Sequence, residues 1–209
     1  MIVTNLSVKQ FYPKEKDDLL DGGLKIGGLP LGSISLRDVP YKEVYTEIES
    51  NDGYHIKLCD GGLIIFQYTF DKEERLLKHR LCYFPSFVLP TVEEAPHLYE
   101  SDELYGDVIL KRLVRFPIRF DFDPGAHIDV DHPVSHLTLG QFENCRIPVG
   151  GAVSPNAFVM FILRNFYYRS YRKNKNQFDK KPHHIPITHT ITDAERRISH
   201  LWVGVELQR

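Results

Sequence analysis

Cysteine is scarce in this chain, and its few cysteines follow no pairing motif. The 209 residues hold three, Cys59, Cys82 and Cys145. An odd number without C-x-x-C spacing excludes a zinc ribbon and predicts a reduced, intracellular protein. Long apolar runs are missing too. The longest, residues 157–163, falls far short of the roughly 20 residues that a membrane-spanning helix needs, so no membrane partner is expected. Neither charge sign is in excess: 26 Lys and Arg against 28 Asp and Glu give a net charge of −2. Any nucleic-acid affinity must therefore come from a local patch. No apolar stretch follows Met1-Ile2-Val3-Thr4-Asn5, which predicts a cytoplasmic protein without a secretory leader.

What is present suffices for a packed core. Hydrophobic residues make up 42% and aromatic residues 12% of the chain, which argues against global disorder. The length suits one domain over residues 1–209. Residues 1–39 are Gly-rich and expected to be loosely structured, with the core over 40–209. Tyr41, Val44, Tyr45 and Ile48 recur at helical spacing, with Pro40 suited to the first helical position. A meander is expected next: strands over 54–59, 63–70 and 76–84, joined by Asp60-Gly61-Gly62 and by 71–74. Residues 85–110 carry six acids and no Lys or Arg, and read as loop plus a short helix. Residues 135–139 and 145–149 read as a further hairpin. Ser154 is a good N-cap and Pro155 a good first residue for a long helix, apolar in its first half and basic from Arg164 to Lys175. Thr192-Asp193-Ala194-Glu195 has the capping-box pattern, and 201–207 reads as a closing strand. Strands first and a long helix late predict an α+β fold with a mostly antiparallel sheet.

The segment 113–149 concentrates the chemistry. Residues 113–123 alternate, with Val114, Phe116, Ile118, Phe120 and Phe122 on one side and Arg115, Arg119, Asp121 and Asp123 on the other. Period two with aromatic and β-branched residues predicts a half-buried strand. Asp121 and Asp123 then share a face about 7 Å apart, with Arg119 beside them. Such a row is a structural ion-pair ladder, an acid/base pair or half of a divalent-metal site. His127, His132 and His136 follow in a stretch rich in Gly, Pro and Asp. Histidine serves as acid or base near neutral pH, or as a metal ligand. The spacing matches no standard zinc motif, so a divalent metal is permitted but not required. Ser135 and His136 are adjacent on a strand and point to opposite faces, which excludes a Ser-His-Asp triad there. His136-Leu137-Thr138 fits the HxT triplet of two-histidine phosphoesterases, but the second triplet is lacking.

The second feature is basic and aromatic. Arg164, Arg169, Arg172 and Lys173 alternate with Tyr167, Tyr168 and Tyr171. Cations bind phosphates and rings stack on unpaired bases, so this segment is the expected contact for RNA or other single-stranded nucleic acid. The bland alternative is an exposed helix end whose cations suit the helix dipole.

These residues resemble a widespread bacterial family known only as a domain of unknown function. The resemblance rests on Arg119-Phe120-Asp121-Phe122-Asp123-Pro124, His132 to Gly140, Cys145-Arg146-Ile147-Pro148, Ser154-Pro155 and Phe161 to Tyr167. A looser similarity is to small TumE-type toxins, in the order Arg119-Phe120-Asp121, His127, His132-Pro133 and His136 to Gly140. The adjacent histidine pair of those toxins is lacking, and the chain is about twice as long. This motif order implies RNA-directed chemistry. Two functional expectations follow. The first is a ribonuclease or related phosphodiesterase of a toxin or phage-defence context. There His136 and His132 are acid and base, Arg119 and Arg146 neutralise phosphate, Asp121 or Asp123 orients a histidine, and Arg164, Arg169, Tyr171, Arg172 and Lys173 hold the strand. The second is a non-catalytic accessory or antitoxin-like protein that binds a larger nucleic-acid-processing partner. Buried imidazoles favour the second.

Overall fold

The computed structural model describes residues 7–8, 24–26, 39–89, 91–100, 105, 116–178 and 188–198. The strand expected at 201–207 lies outside them, as do residues 113–115. Eight strands are described: β1 (Ser7–Val8), β2 (Leu24–Ile26), β3 (Ile56–Lys57), β4 (Leu63–Phe70), β5 (Leu76–Phe84), β6 (Ile118–Phe122), β7 (Ser135–Leu139) and β8 (Ile147–Pro148). They form one sheet in the order β1-β3-β4-β5-β6-β7-β8, and every pairing is antiparallel. β2 pairs with the far end of β4, so β2 and β3 share one edge of that strand. The helices are α1 (Tyr41–Ser50), α2 (Pro96–Glu100), α3 (Pro155–Phe166), α4 (Tyr168–Lys173) and α5 (Lys175–Phe178). The fold is α+β with an antiparallel sheet.

Alternation along the strands makes two cores. Ile64, Phe66, Tyr68, Leu81, Tyr83, Ile118 and Phe120 face α3, which inserts Phe158 and Ile162 among them. The Phe158 ring meets Phe66 and Phe120 edge to face, at centroid separations of 6.2 and 5.8 Å. Such pairs add about 0.5–1.5 kcal/mol beyond the area they bury. Leu63, Ile65, Cys82 and Phe84 project the other way and pack on Val44, Tyr45 and Ile48 of α1. The sheet is thus covered by a helix on each face.

Local chemistry sets the joints. The Ser154 side chain accepts from the Ala157 N–H at 3.1 Å, with Pro155 next, as expected of a helix start. Pro40 stands one position before α1 as its N-cap, rather than inside it. Strand pairing around β3 is confined to Ile56–Lys57. Beyond it the His55 Nδ1 accepts from the Phe66 N–H at 3.1 Å, in place of a backbone carbonyl.

The expected long helix is broken. Tyr167 leaves helical geometry at φ −126° and ψ 45°, and the chain restarts as α4 and α5. The cause is tertiary. The Tyr167 hydroxyl donates to Asp60 Oδ2 at 2.7 Å and lies 2.8 Å from the Tyr83 hydroxyl, all three groups buried. The other Asp60 oxygen accepts from the Gly62 N–H at 3.0 Å. This network pins the β3–β4 turn to the end of α3. A Cβ on Gly62 would sit 2.9 Å from the Tyr83 ring, which explains glycine there. Burial pushes the Asp60 carboxyl above its ordinary value, against the bonds from Tyr167 and Gly62.

Candidate functional site

Antiparallel register decides which polar side chains meet. β6 lies between β5 and β7, with Asp121 opposite Arg80 on one side and opposite His136 on the other. Two positions along β6, Arg119 stands between Cys82 and Thr138. All six project from the face that α1 partly covers. The strand expectation is therefore right in register but not in extent or exposure: β6 begins only at Ile118, and Phe116, expected on its packed side, is 41% exposed. Arg119 and Asp121 are 7% and 6% exposed, so β6 is buried on both sides rather than half-buried.

Asp121 is the hub of the cluster. Its Oδ1 accepts from Arg80 Nε at 2.7 Å, and its Oδ2 accepts from Arg119 Nε. His136 Nε2 lies 3.6 Å from the same Oδ2. Burial pulls the Asp121 carboxyl upward, but the imidazole and the two guanidinium groups outweigh it and hold the carboxyl well below its ordinary value. A further contact, Arg119 Nη2 to Thr138 Oγ1, is 3.5 Å long. His136 is 2% exposed. Its Nδ1 lies 2.9 Å from the Pro133 carbonyl, which can only accept, so Nδ1 carries a proton.

The other expected site residues lie at the rim. His132 is half-buried and meets the His136 ring edge-on at 4.9 Å. Burial, then the neighbouring His136 and Arg146, lower its pKa from the usual value, so His132 stays neutral at pH 7. Asp123 does not extend the carboxylate row. It turns to accept from the Gly125 N–H at 3.2 Å and caps a 3-10 turn over 124–126. Arg146 Nη1 donates to the Asp131 carbonyl at 3.4 Å and does not reach Asp121's cluster. The structure thus joins Arg119, Asp121 and His136, sets His132 against them, and leaves Asp123 and Arg146 on loops.

The basic segment is distributed differently from its sequence pattern. Arg164, Arg169, Arg172 and Lys173 are all exposed. Tyr171 is 7% exposed and belongs to the core, so its ring cannot receive a base. Tyr168, 49% exposed, is the open ring of this segment, with the Arg172 guanidinium 6.0 Å from its centroid.

A family model described as "Uncharacterized conserved protein (DUF2290)" matches residues 6–203. The chain belongs to that family. No curated protein and no solved structure matches it significantly. The segments that carry the resemblance form β6, β7, β8 and α3, the part of the sheet that holds the buried cluster and the helix that covers its other side. No helix among the described residues is long and apolar enough to cross a membrane.

Two residues of the neighbourhood escaped sequence reading. Arg80 lies 41 positions from Asp121, and only the β5–β6 register brings them together. His79, its neighbour, points into the opposite core, where its Nε2 accepts from the Val153 N–H at 2.8 Å. Burial pushes the His79 pKa down to about 4, so it is neutral at pH 7. The only signal for either was the alternation of Leu76–Phe84, which does not name a partner.

Proposed function

We propose that the chain is a non-catalytic accessory protein that binds single-stranded nucleic acid beside a larger nucleic-acid-processing partner. The observation that carries this reading is the state of His136. A general acid or base must come within hydrogen-bonding reach of a substrate proton. His136 is 2% exposed, is bonded to its own chain through Nδ1 and faces a carboxylate already held by two arginines. A substrate would have to displace that packing. The cluster is better read as an ion-pair ladder that fixes the register of β5, β6 and β7. The binding surface is the basic end of α3 with α4. Arg164, Arg169, Arg172 and Lys173 offer cations to phosphates, and Tyr168 offers an open ring. An antitoxin-like or phage-defence setting belongs to the same proposal.

The test is binding of single-stranded RNA at several salt concentrations, with the RNA examined for cleavage. Affinity should fall with salt, and the RNA should be recovered intact. Replacing Arg169, Arg172 and Lys173 together with Ala should reduce the salt slope by about 2, at about 0.7 per phosphate contact. Cleavage that disappears in His136→Ala without loss of folding would restore the ribonuclease reading. Binding that ignores salt and the triple substitution would leave this surface without a nucleic-acid role.

A further inference from the structure

The 3-10 turn Glu195–Arg197 begins at the expected capping box, and the box is complete. Thr192 Oγ1 accepts from the Glu195 N–H at 3.2 Å, and Glu195 Oε2 accepts from the Thr192 N–H at 2.9 Å. Glu195 is nonetheless unusual for such a residue, because its side chain is fully buried. The second oxygen, Oε1, is buried without a hydrogen-bond partner among the described residues. A buried carboxylate oxygen left in that state costs free energy unless a cation or a donor meets it. The facing group is the imidazole of His127, with Nε2 3.9 Å from Oε1. That is too long for a hydrogen bond. Asp129 completes the group, and one ligand atom from each of His127, Asp129 and Glu195 lies within 4.8 Å of the others.

From this juxtaposition we infer that His127, Asp129 and Glu195 form a divalent-metal site for a first-row transition ion, with Zn2+ the best match. One imidazole and two carboxylates are the mixed N/O set that such ions take, whereas Mg2+ prefers oxygen and water alone. Zinc bonds of about 2.0–2.2 Å place two tetrahedral ligands roughly 3.4 Å apart. His127 and Asp129 are exposed on a loop, so the closing of up to about 1.4 Å that the widest pair needs is within reach. A hydroxyl behind the site already orients one ligand. Thr192 Oγ1 donates to Asp129 Oδ1 at 2.5 Å, while the same oxygen caps Glu195. Two of the three ligands face solvent, which leaves coordination open to water or another oxygen ligand. The ion would clamp the 192–197 turn onto the loop after β6, joining parts of the chain more than sixty positions apart.

The test is calorimetric titration of the metal-stripped full chain with Zn2+, alongside thermal melting with and without the ion. One ion per chain should bind, and at a hundredfold excess over Kd the melting temperature should rise by about 5 °C. His127→Ala and Asp129→Ala change exposed residues, so their metal-free melting should stay close to wild type. Each should weaken binding at least tenfold and remove the thermal shift. Glu195→Gln keeps an acceptor for the Thr192 N–H and should also lose affinity. If His127→Ala fails to fold, His127→Gln serves in its place. No saturable binding, or binding that all these variants retain, would overturn the site and leave His127 and Glu195 merely as neighbours.

Discussion

Asp121→Asn is expected to destabilise the protein by about 3–5 kcal/mol at neutral pH, read as a lower midpoint in urea or guanidinium unfolding. The substitution keeps the volume and removes the charge. It leaves the Arg119 and Arg80 guanidinium groups together on one sheet face without the carboxylate that lies between them. The Arg119 side chain is 8% exposed and that of Arg80 25%, so most of the loss falls on the Arg119 side, where water screens less. The pH dependence has a definite sign. A carboxyl held below its unfolded value stabilises the fold above that value, about 3.9, and stops doing so as pH falls through the folded one. The gap between wild type and Asp121→Asn should therefore be constant from pH 6 to 8 and narrow below about pH 4. A loss under about 1 kcal/mol, or a gap indifferent to acid, would show that the carboxylate is not the counter-charge of the ladder.

A loss of similar size is expected at the other face. Phe158 is 0% exposed and fills the angle between Phe66 and Phe120. Phe158→Ala should cost about 3–5 kcal/mol, part from lost transfer and part from the cavity that the aromatic neighbours cannot close. Val159, next on the helix, is only partly buried, and Val159→Ala should cost markedly less. The ratio of the two is informative. Equal losses would mean that α3 contributes through helix propensity and not by docking Phe158 into the sheet.

The two variants address the parts of the fold that the sequence renders with unequal clarity. β4, β5 and β7 run over the residues that their alternation predicts, and α3 starts where Ser154-Pro155 places it. These are local signals: period, turn residues and a cap act within a few positions. The end of α3 is not local. Nothing near Tyr167 breaks a helix, and its ring is held inward by buried contacts with Asp60 and Tyr83, 107 and 84 positions away. The same holds for Tyr171, which its neighbours mark as a surface aromatic and the core claims.

The candidate residues divide along the same line. Arg119, Asp121 and His136 were legible as a group because β6 and β7 are close in sequence and their period fixes the shared face. Their burial was not legible, since it depends on what covers the face and on Arg80 arriving from β5 to complete the charge balance. His127 and the Thr192–Glu195 box were each visible as isolated patterns. Their meeting is a tertiary event that neither pattern implies.

The split edge of β4 bears on self-association. β3 covers Leu63 and Ile64, and β2 covers Tyr68 to Phe70. Between them lies the margin at Ile65–Gln67, and a sheet margin left uncovered is where another chain's strand can nucleate. His55 occupies the gap, and its Nδ1 takes the Phe66 N–H that an incoming strand would use. The last of the described strands, β8, is two residues long and includes Pro148, which has no N–H to offer. Among the described residues, an imidazole at the β4 margin and an imino acid in β8 thus withhold backbone donors that an incoming strand of another copy would pair with.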